Sequence, residues 1–382
     1  MNTIYMDNAA TTYPKPESVY EAIDYFNRHM GGNPGRGSNQ RSLKSGSIVV
    51  EARDALARLF NIEDSSQIAF TQNITESLNI VLKGLLKQGD HVITTSMEHN
   101  SVARPLNIMS REGIEWTQVK CEDDGSLNPE DIKKAIKNNT KLICILHASN
   151  LTGTIMPVED IGKIARENNV LFAIDSAQTA GVLPVDVVKQ NIDILTFTGH
   201  KGLLGPQGTG GLYIKPGLVI NPLKVGGTGS LSESLEHPDL MPDCFESGTL
   251  NTPGIAGLLA GVEFIEKTGL VNIQKHEQIV TDMLIGGLKE IKSVNIYGPQ
   301  ASNKQTAVVA FNIEGMDCGE LSMSLDMEFG VINRSGLHCT PLAHQTIGTY
   351  EIGACRLSPG FFTTEDEIAK VIKAVNEISK RV

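Results

Sequence analysis

Short runs of β-branched and apolar residues alternate with helical patterns from about residue 65 to residue 215, and this alternation constrains the fold more than any other feature. Strands are expected at Gln67–Thr71, His91–Thr95, Ile114–Val119, Lys141–His147, Val170–Asp175, Ile192–Phe197 and Gly210–Ile214. A helix beginning near Thr75 places Leu78, Val81, Leu82 and Leu85 on one face and ends before Gly89. Another starts where Asn128 precedes Pro129, a capping side chain followed by a residue whose missing amide is harmless in a first helical turn. Strands joined through helices pair in parallel, because the helix carries the chain back to the end of the sheet from which it started. The expectation is an α/β fold whose large domain, residues 15–255, holds a mostly parallel seven-stranded sheet.

After Thr252 and Pro253 the pattern changes to a long helical tract, interrupted near Gly269 and running to about Lys292. Short strands follow at Val294–Tyr297, Ala307–Ile313 and Val331–Arg334, with a helix from about Asp317 to Phe329 and an amphipathic closing helix from Thr364. These read as a smaller α+β domain, residues 256–382 together with 1–14, that shares an interface and a cleft with the large one. With 382 residues, 40% of them hydrophobic, the chain is long enough for two cores. Its formal charge of −11 argues against nucleic acid or an anionic membrane as a partner. No basic leader and no membrane-length apolar run is found, so a soluble cytoplasmic protein is expected. The six cysteines (Cys121, Cys144, Cys244, Cys318, Cys339, Cys355) form no CxxC pairs, and neither a disulfide framework nor a bound metal is expected.

In open α/β sheets ligands bind beyond the carboxyl ends of the strands, where loops converge and helix N-termini present free amides. The residues just past those ends form a polar set: Thr75, His99, Asn150, Asp175, Gln178, Thr198, His200 and Lys201. Asp175 closes the apolar run VLFAIDSAQ, where a carboxylate is costly without a cation. A protonated pyridine nitrogen is such a cation, and its charge makes the ring of pyridoxal 5'-phosphate an electron sink. Lys201, in TFTGHKGLLGPQGTG, ends the next run, where flanking glycines would let a planar ring approach and a Schiff base form. Thr75, at a helix start, could hold phosphate through its hydroxyl and the first amides, with Thr198 and His200 as further donors. His99, in SMEHNS, could stack on a ring and shuttle protons. Taken singly, each has a plainer explanation: Asp175 and Thr75 as helix caps, Lys201 as a solvated loop lysine, His99 as a surface histidine.

Nine segments bear on that choice: YMDNAATT, NITESLN, MEHNS, SNLTGT, AIDSAQ, FTGHKGLLGPQGTG, FESGTLNTPG, RSGLHCTPL and CRLSPGFFTTEDEI. In these the sequence resembles, nearly end to end, the class V aminotransferase group of pyridoxal-phosphate enzymes, of the transferase fold type I. Within that group it resembles the group II cysteine desulfurases, the class related to selenocysteine lyases. The resemblance implies Lys201 as the Schiff-base lysine, Asp175 as the partner of the pyridine nitrogen and Gln178 as a donor to the phenolic oxygen. Thr75, Thr198, His200 and the backbone amide of Ile74 would hold the phosphate, and His99 would stack on the ring. Asn150 would touch cofactor and substrate, with Ala9, Ala10 and Arg356 on the substrate side, where Arg356 would grip the carboxylate bidentately. Thr249 would reach the phosphate of a neighbouring subunit, which implies a homodimer.

The same resemblance makes Cys339, in RSGLHCTPLAH, the nucleophile that takes sulfur from bound L-cysteine as a persulfide and leaves L-alanine. The thiolate is the attacking form, so a cation such as protonated His338 or Arg334 would assist it. A glycine-containing loop would let the thiol swing into the cleft. Only 16 residues lie between Cys339 and Arg356, a short span that favours group II, whose sulfur leaves through an acceptor protein toward uses such as iron–sulfur cluster assembly. Three positions depart from the family pattern: Asn39 where histidine is frequent, Ile74 where a second hydroxyl is frequent, and Asn333 where an apolar residue is usual. The rival readings are a selenocysteine lyase or cysteine sulfinate desulfinase on this scaffold, a metal-binding module built from His338, Cys339, His344 and Cys355, and a non-catalytic persulfide carrier.

Overall fold

The computed structural model describes residues 3–35 and 39–382. After a two-residue strand, β1 (Ile4–Tyr5), and helices at Glu17–Tyr25 and Gln40–Phe60, seven strands build the central sheet. They are β2 (Ile68–Thr71), β3 (His91–Thr95), β4 (Glu115–Val119), β5 (Thr140–Leu146), β6 (Leu171–Asp175), β7 (Ile194–Thr198) and β8 (Gly210–Ile214), in the order β2-β8-β7-β6-β5-β3-β4. Pairing is parallel from β4 to β7, and β8 runs antiparallel to both β7 and β2. All seven expected strands are present with ends within two residues of expectation. Ile143 and Ile145 pack into one apolar cluster while Leu142 and Cys144 pack into another, so helices cover both faces and the strand carries an unbroken apolar run.

The helix after β2 spans Ile74–Leu85 and buries the expected Leu78, Val81, Leu82 and Leu85. Its cap is not Thr75. Asn73 takes that role, accepting from the Glu76 amide at 3.0 Å, and Thr75 lies one residue inside the helix.

Beyond helices at Thr252–Thr268 and Leu270–Lys289 lie β9 (Val294–Tyr297), β10 (Val309–Ile313), β11 (Val331–Ile332), β12 (Arg334–Gly336) and β13 (Ala354–Leu357). Four of them form an antiparallel sheet in the order β12-β13-β10-β9, while β11 pairs in parallel with β1. The single strand expected at Val331–Arg334 is thus split, and Asn333 stands at the break. Its amide donates to the Ser322 and Val331 carbonyls, and Cys355 Sγ donates to its Oδ1 at 3.3 Å. The closing helix Glu365–Ile378 starts with a reciprocal cap between Thr364 and Glu367. Met6, Phe311, Leu321, Cys355, Leu357 and Val371 share a separate core. From β1 the chain crosses to the large sheet, where the Thr12 amide and hydroxyl donate to the carbonyls of His200 and Lys201. Among the described residues no helix is long and apolar enough to cross a membrane.

One buried ion pair anchors the large sheet from beneath. Arg53 pairs with Glu246, lies over the Phe70 ring with its Cζ 5.0 Å from the centroid, and donates to the Ile68 carbonyl, while the Phe70 amide donates to Glu246 at 2.7 Å. Removing one charge strands the other in the core, so Glu246→Ala should cost roughly 3–5 kcal/mol of stability. Chemical denaturation would read this, and Arg53→Met combined with Glu246→Leu should recover most of the loss. A single substitution costing under about 1 kcal/mol would show the pair to be effectively solvated.

Candidate active site

A cavity of about 230 Å³ opens at the carboxyl ends of β2, β3, β5, β6 and β7. Its wall brings together almost the whole expected set: Ala9, Ala10, Ile74, Thr75, His99, Asn150, Asp175, Gln178, Thr198, His200, Lys201 and Arg356. Two expected residues stand apart. Cys339 is exposed just outside, although its neighbour His338 and the nearby Arg334 line the wall, and Thr249 is exposed and lines no part of it.

Asp175 ends β6, buried, with the Ala177 amide donating to its Oδ1 at 2.9 Å. Burial raises its pKa; that amide and the Lys201 ammonium oppose the rise. Lys201 lies three residues beyond β7. Burial lowers its pKa to about 8, Asp175 opposes this, and Arg356 and Arg334 add to it. Gly202, beside the lysine, is required by packing. A Cβ on Gly202 would sit 2.5 Å from the Ala180 carbonyl oxygen, and one on Gly181, at φ +83°, would sit 2.3 Å from that of Gly202. The lysine loop and the loop after β6 therefore meet backbone to backbone.

His99 caps the helix Asn100–Met109, its Nδ1 accepting from the Ser101 amide at 3.1 Å. An amide can only donate, so Nδ1 carries no hydrogen. Burial and then the Lys201 charge lower the His99 pKa to about 4, which leaves a neutral ring with its proton on Nε2. Ser101 also joins Thr75, hydroxyl to hydroxyl, at 2.7 Å. Sequence reasoning passed over Ser101; its spacing two residues after His99 at a helix start was the available signal. Gln178 Nε2 donates to the Ala9 carbonyl at 3.0 Å. Burial lowers His200 to a pKa of about 4, and its buried Nδ1 has no partner.

Arg356 is buried at 1% exposure and is already engaged. Its Nη2 donates to Asp7 at 2.6 Å and its Nη1 to the Asn150 carbonyl at 2.8 Å, while its buried Nε has no partner. Asp7 was not singled out in the sequence, and with two of the five guanidinium N–H donors engaged, Nε and the second hydrogens of Nη1 and Nη2 remain for a carboxylate. The expected cation at His338 is corrected: burial, reinforced by Arg356, lowers its pKa to about 2, so the ring is neutral. Arg334 is the cation at the thiol, with Nη2 3.7 Å from Cys339 Sγ. The loop is not slack either. The Cys339 carbonyl accepts from the Asn100 amide, and that of His338 from Asn150 Nδ2, each at 2.9 Å. The four residues of the metal-binding alternative do not converge, since Cys339 faces outward while Cys355 is buried against Asn333, and no metal-holding cluster occurs among the described residues. Asn39 caps the helix Gln40–Phe60, its side chain accepting from the Ser42 amide.

This cavity, with its lysine, carboxylate and convergent donors, sits on a fold shared with enzymes of known class. Residues 4–371 match the family described as aminotransferase class-V, and the chain belongs to it. Its relatives include a probable cysteine desulfurase of Methanothermobacter thermautotrophicus, 34% identical, covering 98% of this chain and 94% of that protein. The cysteine desulfurase IscS of Clostridium botulinum is 31% identical over 99% of this chain and 94% of its own. The apo structure of a cysteine desulfurase from Thermococcus onnurineus superposes with a TM-score of 0.94 at 34% identity, covering 100% of this chain and 95% of that one.

Proposed function

We propose that this protein is a cysteine desulfurase that carries pyridoxal 5'-phosphate on Lys201 and passes the sulfur of L-cysteine to Cys339, leaving L-alanine. The observation that carries the reading is the convergence of Lys201, Asp175 and Arg356 on one cavity, with the only exposed thiol among the described cysteines at its edge beside Arg334. The residues fit the cofactor. Asp175 suits a protonated ring nitrogen. The first-turn amides of Ile74 and Thr75, which have no carbonyl partner within the helix, suit a phosphate together with the Thr198 hydroxyl and the orphan Nδ1 of His200. Bound there, the cofactor supplies an electron sink for charge developing at the substrate α-carbon.

The chain's own groups account for the remaining steps. Arg356, held by Asp7, offers its remaining N–H donors to the substrate carboxylate and orients the amino acid. Lys201, its pKa brought down to about 8, removes the α-proton and returns one to the product. His99 offers an Nε2 proton to the cavity, so it acts as a donor in its resting form. Cys339 attacks the substrate sulfur from the rim, where the Arg334 guanidinium faces it; the S–S bond of the persulfide forms as the substrate Cβ–S bond breaks, and that bond's electron pair stays with the carbon that is protonated to the alanine methyl group.

The group II assignment is supported by the short span between Cys339 and Arg356, taken up by a tight turn, the helix Pro341–Thr346 and the entry to β13. The thiol stays at the surface, where an acceptor protein can collect the sulfur. A homodimer would let the exposed Thr249 serve a partner's phosphate site. A division into residues 15–255 and residues 1–14 with 256–382 is supported by the four-stranded sheet and the separate core beneath it, while Leu258, Val262 and Ile265 of the helix Thr252–Thr268 pack into the core of the large sheet. Purified protein reconstituted with pyridoxal 5'-phosphate should gain a visible absorbance band and, given cysteine and a thiol reductant, release alanine and sulfide in equal amounts. No band after reconstitution would remove the cofactor; a band without alanine would remove only the desulfurase reading.

A further inference from the structure

Two buried imidazoles beside the thiol have no part in the steps above. His338 Nε2 lies 3.3 Å from the Arg334 carbonyl oxygen, His338 Nδ1 3.4 Å from His344 Nε2, and His344 Nδ1 2.7 Å from Thr349 Oγ1. The ring planes are within 10° and the centroids 5.6 Å apart, and the nitrogen-to-nitrogen gap of 3.4 Å takes up most of that separation. The rings therefore meet edge to edge in one plane, as an N–H···N bond requires, and not face to face.

The direction of this chain is dictated at one end. A carbonyl only accepts, so His338 carries its proton on Nε2 and its Nδ1 must accept. His344 then donates from Nε2, its own Nδ1 accepts, and the Thr349 hydroxyl donates to it. Burial holds both rings neutral, His338 down to about 2 and His344 to about 4, so no second protonation scrambles the order.

The chain ends on the turn that carries the thiol. His338 and Cys339 are consecutive non-glycine residues at φ 50° and 58°, a left-handed conformation that L residues adopt only when their surroundings compel it. Backbone contacts hold the turn from outside, through Asn150, Asn100 and the Thr340 amide bonded to the Leu337 carbonyl. From inside, the His338 ring ties it back to Arg334, the residue whose guanidinium faces the sulfur.

We propose that His344 is a positioning residue: by donating to His338 Nδ1 it holds the His338 ring in the orientation and tautomer that fasten the Cys339 turn to Arg334, and so holds the thiol against the guanidinium. The proposal rests on Cys339 being the sulfur-accepting residue.

The test compares H344F, which cannot donate, with H344Q, whose amide can donate to His338 and accept from Thr349, in protein carrying its cofactor. Alkylation by iodoacetamide supplies a second readout, because the other five cysteines are buried. H344F should lower kcat about 10-fold with KM for cysteine within about 2-fold, and slow Cys339 alkylation about 5-fold, the scale of one lost hydrogen bond. H344Q should stay within about 3-fold of the parent in both. Alkylation and turnover at parental rates in H344F, or equal impairment in H344Q, would overturn the proposal. If H344F does not fold, T349V carries the test: it removes the donor to His344 and should slow alkylation about 2-fold, and no change overturns the proposal. Cys339→Ala, assayed in parallel, separates the two ideas. Undiminished desulfuration there would dismiss Cys339 as the acceptor, while the alkylation rates would still judge His344.

Discussion

Lys201→Ala should lower alanine formation from cysteine by about 10²- to 10⁴-fold, the range over which a positioned acid–base group contributes. The loss should appear in kcat, because in the function proposed above Arg356 and the cavity wall, and not the lysine, hold the amino acid. The variant should still take up pyridoxal 5'-phosphate, since Asp175 and the phosphate donors remain, but should release it on dialysis for want of a covalent link. The parent's pH behaviour follows from the same residue. Burial lowers the Lys201 pKa from 10.5 to about 8, and the neutral amine is the form that condenses with an aldehyde. The rate of cofactor loading should therefore climb as pH rises toward about 8 and flatten above it, where an ordinary lysine would still be climbing. Loading that keeps rising in parallel with an unperturbed amine, or near-parental turnover in the alanine variant, would place the chemistry elsewhere.

The second large effect is expected at the rim. Cys339→Ser keeps the shape of the turn but offers a hydroxyl in place of the thiol. Cysteine turnover should fall on the order of 10²-fold or more, because the nucleophile is lost while cofactor and substrate sites stay intact. Selenocysteine is the informative control, since its weaker carbon–selenium bond needs less help. If the variant loses both activities equally, Cys339 supports the active geometry in general; if it loses neither, the chain is a lyase or desulfinase in which the thiol is idle. Loss confined to cysteine supports persulfide formation on this residue.

Much of this architecture was legible in the sequence because of where its strands lie. Strands covered on both faces are rich in apolar and β-branched residues, so β3, β5 and β8 could be read almost to the residue, and polar residues past the carboxyl ends of β2, β3, β5, β6 and β7 marked the cavity. What escaped was of three kinds. The helix Gln40–Phe60 buries Ser42, Ser45, Ala52 and Ala55, a stripe of small residues that does not stand out as apolar. Asp7 lies 349 residues from Arg356, and no local pattern joins them. The neutrality of His338 depends on burial among groups from separate elements, whereas sequence shows only a histidine beside a cysteine and an arginine, for which a charged ring is a natural reading.

The pairing of β1 with β11, and of Asp7 with Arg356, brings the first ten residues of the chain against a strand completed only near its end. During synthesis the large sheet can close while the C-terminal strands are still being added, but the cavity cannot, because its arginine and the partner that holds it come from opposite termini. A chain grown or truncated short of β13 thus carries Lys201 without Arg356, the residue that orients the amino acid in the function proposed above. On the proposed function, the site is complete only once Asp7 and Arg356 have met.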